Sequence, residues 1–569
     1  MGLGRSVAMP LVCVFFISFV AAQVSAQQHH LVRDWSSRHV VFTGLTPQNL
    51  GTAVRTDPRA WHSWVEHARY RFELSRQDER ELSTDRYRPH RHRHRKELAA
   101  DWAIPIGGAV GPWAFPAKFG FDVNATPDCT NDYVVFPTSN PGTPGVSGAA
   151  PTLIAFNNLY TGPGPTGLCP TPSTPAIQPS VLFAYNTTTA PQGKADLSPV
   201  LSLDGSKIAF VESNDGSGSN YAAFHVLTWV AGEGAATSAA LPGDCLLGHS
   251  CMTTLVLNTT HSDSRSSPFV DYAHDTAYVS DDSGVLHKIT PVFNGTPVEV
   301  TGNGWPVQLA AAPDRVNSPV YDSVSGRIFV TDVNNTVLYV VDGASGTILK
   351  KVSLSAFVVS DLIVDSTNQT VFVFFADFSF NLAVEQVDTS GALLRRIAVA
   401  PLGGDLNVFT GALDQNYFTS PSSGSLYFAG AVNFHASLYS VGFTGTTMNA
   451  SFSGPLVLST SPTTSVPNSL TEFFNPSLSG SPDRLFVGID ANCVNGSADG
   501  CIESFDISSG FPSAILSSRA LGTSGSSLSV SGIIIDNVSS SAQASSIYFE
   551  SFPQGSSQSA IKLTQSDLQ

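Results

Sequence analysis

One short unit recurs along this chain: an apolar strand ending in Asp, a polar turn, and a second apolar strand. Ser318-Pro-Val-Tyr-Asp322 leads to Arg327-Ile-Phe-Val330, and Ser267-Pro-Phe-Val-Asp271 leads to Thr276-Ala-Tyr-Val279. Ser360-Asp-Leu-Ile-Val-Asp365 leads to Thr370-Val-Phe-Val373. Two strands of this kind cannot cover their own apolar faces, so successive copies must stack. Five weaker copies follow the same grammar. Lys118-Phe-Gly-Phe-Asp122 precedes Asp132-Tyr-Val-Val-Phe136, and Ser198-Pro-Val-Leu-Ser-Leu-Asp204 precedes Lys207-Ile-Ala-Phe210. Thr410-Gly-Ala-Leu-Asp414 has a less regular partner, and Phe473-Phe-Asn-Pro476 carries Asn in place of Asp before Arg484-Leu-Phe-Val487. Ile533-Ile-Ile-Asp536 precedes Ser546-Ile-Tyr-Phe549.

Several units continue into a third and a fourth strand. Leu338-Tyr-Val-Val341 runs into Asp342-Gly-Ala-Ser-Gly346, a turn rich in residues that tolerate left-handed dihedrals, and then into Thr347-Ile-Leu-Lys-Lys-Val352. Four antiparallel strands per ~40–60 residues predict an all-β body built as a seven- or eight-bladed β-propeller, with eight blades favoured by the count of units. The last unit lacks a fourth strand of its own. Trp102-Ala-Ile-Pro-Ile106 is the expected donor, which would sew the two ends of the body together.

The recurring Asp has two readings, ligand or turn organiser. An Asp at a strand end accepts hydrogen bonds from nearby backbone N–H groups. Its presence in nearly every unit favours the turn role for Asp122, Asp204, Asp271, Asp322, Asp365, Asp414 and Asp536.

Three regions are expected. Arg5, the apolar stretch 7–20 and Val24-Ser25-Ala26 read as a secretory signal over residues 1–26. Residues 27–100 form a basic arm with 14 Arg or Lys against 9 Asp or Glu. Within it, Trp61, Trp64, Val65, Ala68 and Phe72 fall at helical spacing, and a solvated His/Arg run follows. Residues 101–569 are the propeller, with 14 Arg or Lys against 36 Asp or Glu, a net of −22. An acidic body of this kind repels nucleic acid and anionic lipid. After signal removal no segment is long and apolar enough to span a bilayer with a helix.

Export and an even count predict disulfides among the six Cys outside the signal. Proximity pairs Cys245 with Cys251 and Cys493 with Cys501, leaving Cys129 with Cys169. A metal site is the weaker reading, because no Cys-x-x-Cys occurs. Asp281, Asp282, Asp332 and Asp490 could offer oxygen ligands to Ca²⁺, although no EF-hand loop is present. No other cofactor is expected. The chain has no phosphate-cradling Gly loop and no His-Glu-x-x-His helix. It also lacks a Gly-x-Ser-x-Gly elbow between strand and helix. His225, His249, His261, His274, His287 and His435 are scattered without a matching nucleophile.

Phe121-Asp-Val-Asn-Ala-Thr-Pro-Asp-Cys-Thr-Asn-Asp-Tyr-Val-Val-Phe136, Leu153-Ile-Ala-Phe-Asn-Asn158 and Asp361-Leu-Ile-Val-Asp-Ser-Thr-Asn-Gln-Thr-Val-Phe372 resemble a group of uncharacterised exported bacterial proteins, notably from Acidobacteria. More distantly, the blades resemble secreted YVTN-type and quinoprotein-like propellers. The resemblance covers roughly residues 101–569. It implies an extracytoplasmic propeller and transfers no catalytic residue. The expected function is a secreted or cell-surface interaction module for a protein, glycan or envelope component. The alternatives are a hydrolase or quinoprotein-like oxidoreductase with a site on one propeller face, or a self-assembling structural protein.

Overall fold

The computed structural model describes residues 31–33, 40–42 and 98–565, less the loop positions 109–110, 112, 121–127, 162–167, 170–178, 203, 215–220, 247, 259–263, 335, 367, 404, 461–464, 475–481, 495–498, 522–527, 538–544 and 554–557. Eight antiparallel sheets follow one another along the chain and stand in a ring. Blades 1 to 7 span residues 117–185, 200–258, 269–308, 320–353, 356–401, 412–457 and 471–520. Blade 8 combines residues 528–565 with the strand Leu98–Pro105. Blade 5 is widened to six strands by Leu31–Arg33 and Val40–Phe42, the latter parallel to the blade's first strand. The helix expected near Trp61 and the His/Arg run lie outside the described residues.

Blade 4 shows how sequence becomes sheet. Its strands are Val320–Asp322, Arg327–Thr331, Val337–Asp342 and Ile348–Ser353, paired in that order. First strands of neighbouring blades touch, so they line the axis. The second and third strands are covered on both faces by adjacent blades, which is why they read as unbroken apolar runs. Thr370–Asp377 of blade 5 is buried at every position. The fourth strand faces solvent and carries Lys350 and Lys351 in blade 4. Charge on an outer edge discourages pairing with another chain.

The weak sixth unit has a physical cause. Between the strands Ala412–Leu413 and Ser425–Val432 the turn is replaced by the helix Gln415–Thr419, capped by the Asp414 carboxylate on the Tyr417 N–H. The Asp at this strand end thus starts a helix rather than a tight turn.

The ring is closed by the expected strand, which starts at Leu98 and pairs antiparallel with Ser559–Gln565, Ala103 opposite Ile561. A buried charged network lies behind it. Lys562 Nζ is 2.9 Å from Asp101 Oδ2, and Thr564 donates to the same carboxylate. Lys118 of blade 1 is 3.3 Å from Asp536, which also accepts from the Tyr548 hydroxyl, and Tyr160 donates to Asp132. Burial holds the Asp101 and Asp536 carboxyls above their usual range, with Lys562 and Lys118 respectively pulling back.

Around the axis the blades are tied by a chain of hydrogen bonds that the Ser-Pro dipeptides create. The residue before each proline is held extended. The Phe115 N–H donates to Ser198 Oγ at 2.9 Å, Ser198 N–H to Ser267 Oγ at 3.1 Å, and Ser267 N–H to Ser318 Oγ at 3.0 Å. Blades 6, 7 and 8 continue with Leu470 N–H on Thr410 O and Thr471 Oγ1 on Ile533 O. Gly532 N–H on Ala114 O returns the chain of bonds to the segment ahead of blade 1. Ser267→Ala removes the acceptor of the buried Ser198 N–H and is expected to cost about 1–3 kcal/mol in a denaturant melt. A loss below ~0.5 kcal/mol would contradict an interlocking role for these serines.

Candidate functional site

In a four-stranded antiparallel blade with its first strand on the axis, the first-to-second and third-to-fourth turns lie on one face of the ring. The second-to-third turns and the connections between blades lie on the other. The strand-end Asp residues belong to the first face. Asp204 accepts from the Ser206 N–H, Asp271 from Ala273, Asp322 from Val324 and Ser325, and Asp365 from Asn368. Asp365 also receives the Tyr417 hydroxyl of the next blade at 2.7 Å. Asp414 caps its helix, and Asp536 joins the seam network, while the turn that follows it lies outside the described residues. Asp122 lies outside the described residues.

The opposite face holds a cleft and a group of charged side chains. A cleft of about 190 Å³ opens there over blades 6 to 8. The connection between blades 5 and 6 supplies Asp405, Asn407 and Phe409, and that between blades 6 and 7 supplies Val466, Pro467 and Asn468. Blade 7 contributes Gly488 and Asp490, blade 8 Val530, and the loop ahead of blade 1 the half-exposed Trp113. Gly488 is required here, because a Cβ would meet Val530 Cγ1 at 2.6 Å. The Asn468 amide is committed to the wall: Oδ1 accepts from the Gly488 N–H and Nδ2 donates to Ser531 O. Asp490 Oδ1 accepts from the Val466 N–H at 2.7 Å, and Asp405 Oδ1 from the Asn407 N–H at 2.7 Å. Burial lifts Asp490 to about 6; the Val466 N–H opposes this and the Asp405 charge adds to it. Arg265, from the loop between blades 2 and 3, stands 5.6 Å over the Trp113 ring.

A second charged group on this face gathers Asp281, Asp282 and Asp332, with Asp314 between them in the connection from blade 3 to blade 4. His287 is clamped between Asp281 at 3.4 Å and Glu299 at 2.6 Å. Burial alone would depress this imidazole, but the two carboxylates outweigh it and raise it to about 9. Asp282 is lifted to about 6 by burial, with Arg315 and Arg265 pulling it down. Asp332 accepts the Tyr339 hydroxyl at 2.9 Å. Asp490 stands apart from this group, in the cleft. Among the described residues, the only three His, Cys, Asp or Glu whose donor atoms all lie within 4.8 Å of one another are Cys493, Cys501 and Glu503.

Three further histidines, His225, His274 and His435, hold structure, and His261 lies outside the described residues. His225 sits between Thr254 Oγ1 at 3.0 Å and Glu212 at 2.9 Å. This hydroxyl–imidazole–carboxylate row has the order of a nucleophile relay. Glu212, however, also accepts the Thr189 and Ala190 N–H groups, and His225 is fully buried between strands. The row anchors a loop and does not face the cleft. His274 bonds Asp271 and His435 bonds Ser459 O.

All three expected disulfides are formed: Cys129–Cys169, Cys245–Cys251 and Cys493–Cys501. The last closes the second-to-third hairpin of blade 7, next to Asp490. Asp490 alone of the cleft's polar groups was visible as a sequence candidate. Trp113, Asp405 and Asn407 lie in inter-blade connections, and their one signal is position, between the last strand of one unit and the first of the next.

No family model and no curated protein matches the chain. Comparison with solved structures returns distant similarities. The C-terminal WD40 domain of Sif2 is 9% identical with a TM-score of 0.43, over 82% of this chain and 98% of that one. The Dos1 propeller is 10% identical with a TM-score of 0.44, over 82% and 96%. A protein from Lactobacillus plantarum is 14% identical with a TM-score of 0.38, over 68% and 99%. Likenesses this distant transfer no site.

Proposed function

We propose that this chain is a secreted or cell-surface binding module, of the exported bacterial propeller type, that holds a saccharide in the Trp113 cleft. The observation carrying this reading is the pairing of an accessible indole with Asp405, Asp490 and the Asn407 amide around one small cavity. An indole offers an apolar platform to the C–H face of a sugar ring. Carboxylates and amides accept and donate to its hydroxyls. The propeller supports such a site, because the connections that line it are held by rigid blades.

The test is a glycan screen followed by calorimetry on the best ligand. Trp113→Ala is expected to cost about 2 kcal/mol or more in binding, as buried aromatic anchors do, with unchanged unfolding. Binding should also weaken as pH falls below about 6, where Asp490 takes up a proton. Asp490→Asn should flatten that dependence. Affinity unchanged in both variants would overturn the reading.

A protein partner is the second reading, favoured by a different feature. Phe357, Phe378, Phe380 and Phe434 are all largely exposed on the same face of blades 5 and 6. Phe380 and Phe434 adopt φ of 60° and 71°, a costly conformation for a bulky side chain. Phe378→Ser with Phe434→Ser would abolish capture of such a partner and leave glycan binding intact.

A further inference from the structure

Blade 7 buries a group of donors that the cleft does not use. Its third strand, Asp499–Asp506, places Asp499, Cys501 and Glu503 at alternate positions, so all three project from one face of the sheet. Cys493, just past the second strand, meets Cys501 there in the disulfide. The sulfurs and a Glu503 carboxylate oxygen lie within 4.8 Å of one another, and all three residues are buried. Glu503 Oε2 has no hydrogen-bond partner, nor does either carboxylate oxygen of Asp499. A carboxyl buried without a partner is unfavourable unless it is protonated or meets a cation. While the S–S bond is intact the sulfurs carry neither proton nor charge. Their approaches to Asp499 O and Glu503 Oε1, both 3.8 Å, are then only contacts.

We propose that in the reduced protein Cys493, Cys501 and Glu503 form a binding site for a zinc-type divalent metal, so that the blade 7 hairpin is closed either by the disulfide or by the metal. Two thiolates and one carboxylate suit Zn²⁺ or Co²⁺, whereas Ca²⁺ takes oxygen ligands throughout. The fourth position is left to water or to Asp499. An external dithiol supplies two electrons and two protons: the S–S bond breaks, two S–H bonds form, and the dithiol becomes a cyclic disulfide. The metal then displaces the two thiol protons and the Glu503 carboxyl proton into solvent.

The test uses the full chain, reduced with a dithiol, desalted without oxygen and titrated with Co²⁺. The thiolate-to-cobalt charge-transfer band and the tetrahedral visible band report ligand type, and circular dichroism reports folding. The expected result is one cobalt per chain with both bands, none in the oxidised protein, and none of this type in Cys493→Ser with Cys501→Ser. Glu503→Gln, which keeps both thiols, should bind roughly tenfold more weakly or worse. Equal affinity in Glu503→Gln overturns the proposal. So does an unchanged band in the double serine variant, or a reduced chain that is unfolded and remains so with cobalt.

Discussion

Lys562→Met is expected to lower the unfolding free energy at pH 7 by about 3–5 kcal/mol, the cost of breaking a buried ion pair from one side. Lys562 and Asp101 are both almost wholly buried, 2.9 Å apart, and join the last strand of the body to the strand that closes the ring. Without the ammonium, Asp101 keeps only the Thr564 hydroxyl against its desolvation. The loss should therefore shrink at acid pH, where Asp101 is protonated. Lys562→Met combined with Asp101→Asn should recover part of the stability, because both charges are then gone. A single variant as stable as the parent in a urea melt would show that the seam does not depend on this pair.

Glu503→Gln should have the opposite sign, and its effect should grow with pH. Burial raises Glu503 from 4.5 to about 8. A raised carboxyl contributes stability that is full below its unfolded value, near 4.5, and is lost as pH rises through the folded value. Between pH 5 and pH 9 the parent should lose on the order of 4 kcal/mol from this one residue. The glutamine variant has no such proton to lose. The two proteins should match near pH 5, and the variant should be the more stable by that amount at pH 9. Asp282 and Asp490, each raised to about 6, and His287, raised to about 9, tilt both proteins the same way. Parallel curves for parent and variant would contradict the buried, unpartnered state of Glu503.

The strand pairs could be read from the chain because nearly every unit places an Asp after an apolar run, a purely local signal, with Asn in its place in the seventh unit. The sixth unit blurred because Asp414 caps a helix instead of shaping a turn. The closing strand was legible by subtraction, since the last unit offered three strands where the others have four. The seam network was not legible. Lys562 in Ala560-Ile-Lys-Leu563 looks like an outward residue of a strand, and only the return of residues 98–105 covers it. The Ser-Pro dipeptides were visible, but their hydroxyls act between blades, a relation no single unit contains. The cleft escaped for the same reason: its walls come from three connections and two strands scattered between residues 113 and 530.

Ring closure by the strand Leu98–Pro105 underlies both the cleft face and the seam, and hydrogen exchange measures it directly. Amides of this strand are expected to exchange as slowly as those of Ser559–Gln565, its partner, both being released together only on global unfolding. Fast exchange across residues 98–105, with the eight sheets otherwise protected, would contradict this closure.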